Sequence, residues 1–259
     1  MRNMEWYSEL NPFNSLKILF HADRLRKIAS ENEYPPPIAV DIDPSNLCNQ
    51  NCFYCNSKYY CKQSKFSLMP TGHLLNIGKF LVEWKVKAVC IAGGGEPLIN
   101  QELKDLLPFL HQNNIQIGVL TNGTLIDDEY IELFQKHCRF VGISCDSMEK
   151  VSYEKIRGCD HIQIVKRNIA RLARRKNKLQ VTLKILINQF NYEDLFETAR
   201  IAKELGCDAV QIRPLALDNV LNQDGNEHIF HFDFEPVINV ILNQFKKCHE
   251  LNGNFLSSV

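Results

Sequence analysis

Six apolar strand-like runs alternate with amphipathic helix-like runs from about Pro35 to Arg213, and this alternation predicts an α/β fold with a parallel sheet built from β–α units. With 259 residues and 45% hydrophobic content, the chain is long enough to bury such a sheet in one barrel-like domain. The chemistry-bearing residues agree with that arrangement. Three cysteines, a glycine run, an Asn-Gly turn and a Ser-x-Asp each fall just after an expected strand, the edge where parallel sheets and barrels gather their ligand loops.

In chain order, residues 12–30 carry Leu16, Leu19, Phe20, Leu25 and Ile28 at near-helical spacing and are halted by Pro35-Pro36-Pro37. They predict a helix packed outside the sheet, in an N-terminal extension of residues 1–37 ahead of a core of residues 38–259. Strands are expected at 38–42, 87–92, 116–121, 140–144, 180–187 and 209–213, and helices at 71–84, 101–113, 127–137, 162–176, 192–205 and 235–251. The polar stretch 216–231 has no clear period and predicts a loop near the active face. Residues 255–259 are apolar enough to start another strand, and no low-complexity tract or further repeat is present.

A formal net charge of zero gives no support to a nucleic-acid or anionic-membrane surface. Arg171, Arg174, Arg175, Lys176 and Lys178 form a basic cluster, but they fall where cations complement a helix C-terminus. No apolar secretory core occupies the first ten residues and no segment reaches membrane-spanning length, so the ten cysteines read as reduced thiols of a cytoplasmic protein. Cys90 and Cys207 read as packing residues, and Cys138, Cys145, Cys159 and Cys248 show no second ligand spacing. The histidines show none with one another.

Cys48, Cys52 and Cys55 stand at C-x3-C-x2-C spacing in an Asn-rich segment, where burial as small hydrophobes is unfavourable. Closed zinc sites and electron-transfer clusters use four protein ligands, so three predict a cluster with one iron left open. Zinc with Cys61 as fourth ligand is the alternative. Gly93-Gly94-Gly95-Glu96-Pro97 lacks both the Walker signature and the third glycine of a dinucleotide loop. Bare backbone beside one carboxylate suits a ligand with an ammonium and a carboxylate, as an amino acid has. Thr121-Asn122-Gly123, Ser144 and Asp146, each readable singly as a turn or a helix cap, share strand ends with these motifs, and Asn188 and Arg213 extend the rim.

On the cysteine motif with Tyr54 before its last cysteine, and on Gly94-Gly95-Glu96-Pro97, the chain resembles the radical S-adenosylmethionine (radical SAM) superfamily over roughly residues 38–215. The resemblance implies a partial (β/α)6 TIM-like barrel, here with an N-terminal helix. It implies that Cys48, Cys52 and Cys55 ligate three irons of a [4Fe-4S] cluster whose fourth iron is chelated by SAM. Gly94, Gly95 and Glu96 would hold the methionyl amino group, Ser144 the ribose, and Tyr54 and Leu215 the adenine, while Thr121 would face the reaction centre. The implied activity is reductive cleavage of SAM to a 5'-deoxyadenosyl radical that abstracts hydrogen from a peptide or other biosynthetic intermediate, with electrons from flavodoxin or ferredoxin. A non-catalytic iron-sulfur carrier and a zinc-binding interaction module are the readings from other classes.

Thr121-Asn122-Gly123, Ser144-x-Asp146 and Gln211-Ile212-Arg213-Pro214-Leu215 are most similar to the branch holding SPASM or twitch maturases and the molybdopterin-precursor cyclase. Many of those enzymes bind auxiliary clusters through a Cys-rich extension. Beyond Cys207 this sequence has only Cys248, which leaves a compact single-cluster enzyme or a piece of a longer chain.

Overall fold

The computed structural model describes residues 21–31, 34–55, 57–58, 68–174, 178–215, 217–221, 227–230, 232–251 and 256–258. Six strands lie side by side in chain order: β1 (Ala39–Ile42), β2 (Ala88–Ile91), β3 (Gln116–Thr121), β4 (Phe140–Ser144), β5 (Gln180–Ile187) and β6 (Ala209–Pro214). Every neighbouring pair is parallel. The sheet does not close on itself, in keeping with a partial barrel.

Helices return the chain between strands. Ahead of the sheet is α1 (Ala22–Arg26), and the connections are α2 (His73–Glu83), α3 (Leu103–Gln112), α4 (Asp128–His137), α5 (Lys150–Arg157), α6 (Ile162–Arg174) and α7 (Leu195–Glu204). After β6 come the hairpin β7 (Leu217–Leu221) and β8 (Glu227–Phe230), then α8 (Ile238–Glu250) and β9 (Leu256–Ser258), which pairs parallel with β6. Along each strand Val, Ile and Leu largely alternate with small or polar residues; the aliphatic set, such as Val89, Ile91, Val141, Ile143, Val181 and Leu183, is buried in the core with the helix stripes. The helices between strands each bury one stripe, as α6 does with Ile162, Val165, Ile169 and Leu172. Asp127 starts α4 by accepting a hydrogen bond from Tyr130 N at 2.8 Å.

All six expected strands form, with those at 116–121, 140–144 and 180–187 matching residue for residue. Three features differ from the sequence expectation. Two helices, not one, connect β4 to β5; the short α5 buries only Tyr153, Ile156 and the charged Arg157, too little apolar stripe to read as a helix. The stretch read as a loop at 216–231 contains the hairpin β7–β8, whose register shift between Leu217 and Val220 breaks the alternation that marks a strand. Of the N-terminal helix, residues 12–20 lie outside the described residues; the remainder is α1 and a π-turn at Lys27–Glu31 with Leu25 and Ile28 exposed. The apolar C-terminal stretch does start a strand, β9. No described helix is long and apolar enough to cross a membrane.

Candidate active site

Parallel strands bring the loops after β1, β2, β3 and β4 to one edge, where they line a cavity of about 410 Å³. Cys48, Cys52, Cys55 and Tyr54 enter from the first loop; Gly94, Gly95 and Glu96 from the second; Thr121 from the third; Ser144 from the fourth; Leu215 from beyond β6. Every residue expected to hold the cluster or SAM therefore lines one space. Asn188 does not line it: its side chain donates to Leu186 O and accepts from Phe190 N, which fixes a turn. Cys61 lies outside the described residues.

The cysteine loop is held from three sides. Gly95 N donates to Ser45 O at 2.9 Å and Glu96 N to Leu47 O at 2.7 Å. A Cβ on Gly95 would stand 2.1 Å from Leu47 O, so glycine is required here by close backbone approach. On the second side, Asn122 Nδ2 donates to Asn49 Oδ1 at 2.8 Å and lies 3.9 Å from Cys48 Sγ. On the third, the free carbonyls at the end of α5 accept from the loop: Ile156 O from Phe53 N and Arg157 O from Asn51 N. Gln50 Nε2 donates to Tyr153 OH at 2.8 Å.

Glu96 is buried in the cavity wall and binds the protein on both oxygens. Oε1 accepts from Thr121 Oγ1 at 2.6 Å and Leu98 N at 3.2 Å, and Oε2 accepts from Asn122 N at 2.7 Å. Burial pushes its pKa up to about 6, opposed by those hydrogen bonds. The carboxylate thus ties the β2 loop to the β3 loop, a duty the sequence did not reveal.

Behind the cysteines sits a buried charge network. Asp146 Oδ2 accepts from Tyr54 OH at 2.6 Å and pairs with Arg157 Nη2 at 2.8 Å, while Oδ1 accepts from Leu186 N. Arg157 Nη1 lies 3.6 Å from Cys52 Sγ. Asp146 is therefore an internal anchor rather than a helix cap. Burial, and next the Asp146 carboxylate, push the Tyr54 phenol well above its usual range. Burial raises the Cys52 thiol and Arg157 opposes it, whereas burial pushes Cys48 to about 11. Arg157 was missed because it lies on α5; its signal was Lys155 and Arg157 in a last turn before Gly158.

All three thiols are free, and metal binding would take their protons. Among the described residues, no set of three His, Cys, Asp or Glu side chains converges on a single ion. A [4Fe-4S] cluster asks for something else, because each thiolate ligates a different corner iron. Three free thiols around one cavity, with a guanidinium beside one of them, fit that donor set. Close by, the glycine turn and the Ser144 hydroxyl leave room for a polar organic molecule.

A family model described as the radical SAM superfamily matches residues 42–231. The probable GTP 3',8-cyclase of Methanothermobacter marburgensis is 22% identical over 209 residues, covering 80% of this chain and 67% of its own. The antilisterial bacteriocin subtilosin biosynthesis protein AlbA of Bacillus subtilis is 25% identical over 163 residues, covering 60% of this chain and 35% of its own. SuiB of Streptococcus suis, solved with bound S-adenosylmethionine, superposes with a TM-score of 0.70 at 15% identity, covering 94% of this chain and 55% of its own. SuiB has also been solved with its precursor peptide SuiA. The chain thus spans between about one third and two thirds of the length of these relatives.

Proposed function

Because this chain belongs to the radical SAM superfamily, whose members use a [4Fe-4S] cluster and SAM, we propose that Cys48, Cys52 and Cys55 ligate three irons and leave the fourth to SAM. The observation that carries this reading is that the three thiols and the Gly94-Gly95-Glu96 turn line one cavity. When bound, the cluster supplies the electron that cleaves SAM to methionine and a 5'-deoxyadenosyl radical able to take hydrogen from a substrate.

The chain's own residues bind, orient and exclude water. The bare backbone of Gly94 and Gly95 receives the methionyl amino group, and Glu96, with Oε2 bound by a single donor, adds negative charge beside it. Ser144 takes the ribose, Tyr54 and Leu215 flank the adenine, and Thr121 stands at the reaction centre while fixing Glu96. Tyr54 is pre-set for that role, since Asp146 and Arg157 hold it from behind. The substrate is a peptide or another biosynthetic intermediate, in line with SuiB's peptide and AlbA's pathway. A low-potential donor such as flavodoxin or ferredoxin delivers the electron in the cytoplasm.

Anaerobic reconstitution with iron and sulfide tests the reading. A brown protein whose cluster spectrum responds to SAM, and which with dithionite yields methionine and 5'-deoxyadenosine, supports it. A brown protein indifferent to SAM would point to an electron carrier, a colourless zinc protein to an interaction module, and S-adenosylhomocysteine as sole product to ordinary methyl transfer.

A further inference from the structure

The residues assigned to cluster and SAM lie mostly after β1 to β4. The opposite wall of the cavity is made by β5 and β6, and among the described residues no hydrogen bond or ion pair engages the side chains of Lys184, Gln211 or Arg213. Strand register sets Ser144 beside Lys184 and Lys184 beside Gln211, so the three form one row across the sheet, and all three line the cavity. Arg213, two residues past Gln211 on the same face of β6, also lines it.

Gln211 is 1% exposed, and among the described residues neither its Nε2 nor its Oε1 has a hydrogen-bond partner. A buried amide lacking both is rare and costly in a folded protein. One step deeper on the same face of β5, Thr182 Oγ1 also finds no partner among the described residues. Lys184 has its alkyl stem against Gly142, and the charge acting most on its ammonium is that of Arg213; the other titratable neighbour, Cys90, is a thiol that burial and then Asp41 push further toward its neutral form. The cavity's two carboxylates are engaged elsewhere, Glu96 by Thr121 and Asn122, Asp146 by Arg157 and Tyr54. Burial, and then Arg213, lower the Lys184 pKa, as happens to a cation short of a counter-charge.

We infer that the β5–β6 wall is a subsite for an anionic oxygen group of the substrate, a carboxylate or a phosphate, whose charge Lys184 and Arg213 neutralise and whose orientation the Gln211 amide sets. The Gln211 N–H reaches one of the anion's oxygens, and its carbonyl oxygen accepts from a neighbouring donor on the same ligand. The inference rests on the radical SAM reading only in that SAM takes the β1–β4 side of the cavity.

Calorimetric titration of the reconstituted, SAM-saturated protein tests it with two probes. One is tripolyphosphate; the other is a blocked pentapeptide carrying two glutamates, with its glutamine counterpart as the neutral control. Binding of either anionic probe, with none for the control, is expected, and the probe that binds identifies phosphate or carboxylate as the source. Lys184→Met should weaken that binding about tenfold or more and Gln211→Met about fivefold, each with SAM affinity retained. Arg213 is exposed, so Arg213→Ala, expected to cost a similar factor to Lys184→Met, keeps the test decisive where a buried variant does not fold. The inference is overturned when neither anionic probe binds, when the substitutions leave probe affinity unchanged, or when they lower SAM affinity instead. Failure of the wild type to bind SAM would overturn the cofactor reading, and the same titration without SAM then decides the wall alone.

Discussion

Arg157 reaches within 3.6 Å of the sulfur of Cys52, a residue 105 positions earlier, while its other terminal nitrogen pairs with Asp146 at 2.8 Å. The cation is almost fully buried, so it serves the pair and the thiol together. Removing one partner of a buried pair strands the other charge, which costs more than the pair is worth. Arg157→Met should therefore destabilise the fold by about 3–5 kcal/mol in denaturant unfolding. Adding Asp146→Asn should recover part of that loss; a double variant as unstable as the sum of the singles would show that the two are uncoupled.

Gly158 ends α5 at φ +64°, and a Cβ there would meet Asn51 O at 2.6 Å. Gly158→Ala meets both a left-handed backbone, worth about 1–2 kcal/mol, and a clash with the cysteine loop. We expect reduced iron incorporation on reconstitution as well as a lower Tm. A variant that loses stability but loads iron normally would mean that the loop does not depend on this contact.

What the sequence made legible was set by local pattern. The runs Gln116–Thr121, Phe140–Ser144 and Gln180–Ile187 are dense in β-branched and aliphatic residues, and a buried parallel strand needs no other signal. Residues gathered by strand ends were equally legible, because topology alone carries Cys48, Glu96, Thr121 and Ser144 to one edge. The partners of those residues were not. Nothing near Glu96 in the chain announces that Asn122 N will bind it, and nothing near Cys52 announces Arg157, because such contacts depend on how α5 and the loops pack. The empty hydrogen-bonding capacity of Gln211 is likewise a property of its surroundings, invisible in the residue itself.

Glu96 gives the site a pH signature. Its pKa is raised from 4.5 to about 6 in the fold, so between those values the native state holds a proton that the unfolded chain has lost. Its contribution to stability is complete below the unfolded value and falls by up to about 2 kcal/mol as pH rises through the folded one. Glu96→Gln removes that slope and sets a second donor against Asn122 N, at a cost of about 1–3 kcal/mol. Tm compared between wild type and variant from pH 4 to 7 without SAM checks both. A wild-type slope that persists in the variant would assign the titration to another group.

The three cysteines should be separable from the other seven by metal content. Cys48→Ala, Cys52→Ala and Cys55→Ala should each abolish a SAM-responsive cluster. Cys207→Ala removes a sulfur from a buried packing position, and Cys90→Ala one from a half-buried strand, so both should lower Tm and still load iron. Cys61→Ala decides between the two metal readings. A three-thiol cluster with an iron left for SAM survives that substitution, because the ligands it needs all line the cavity. A four-ligand site does not survive it. Loss of metal in Cys61→Ala as complete as in Cys52→Ala would therefore remove the open iron from the proposal, and with it the place where SAM binds.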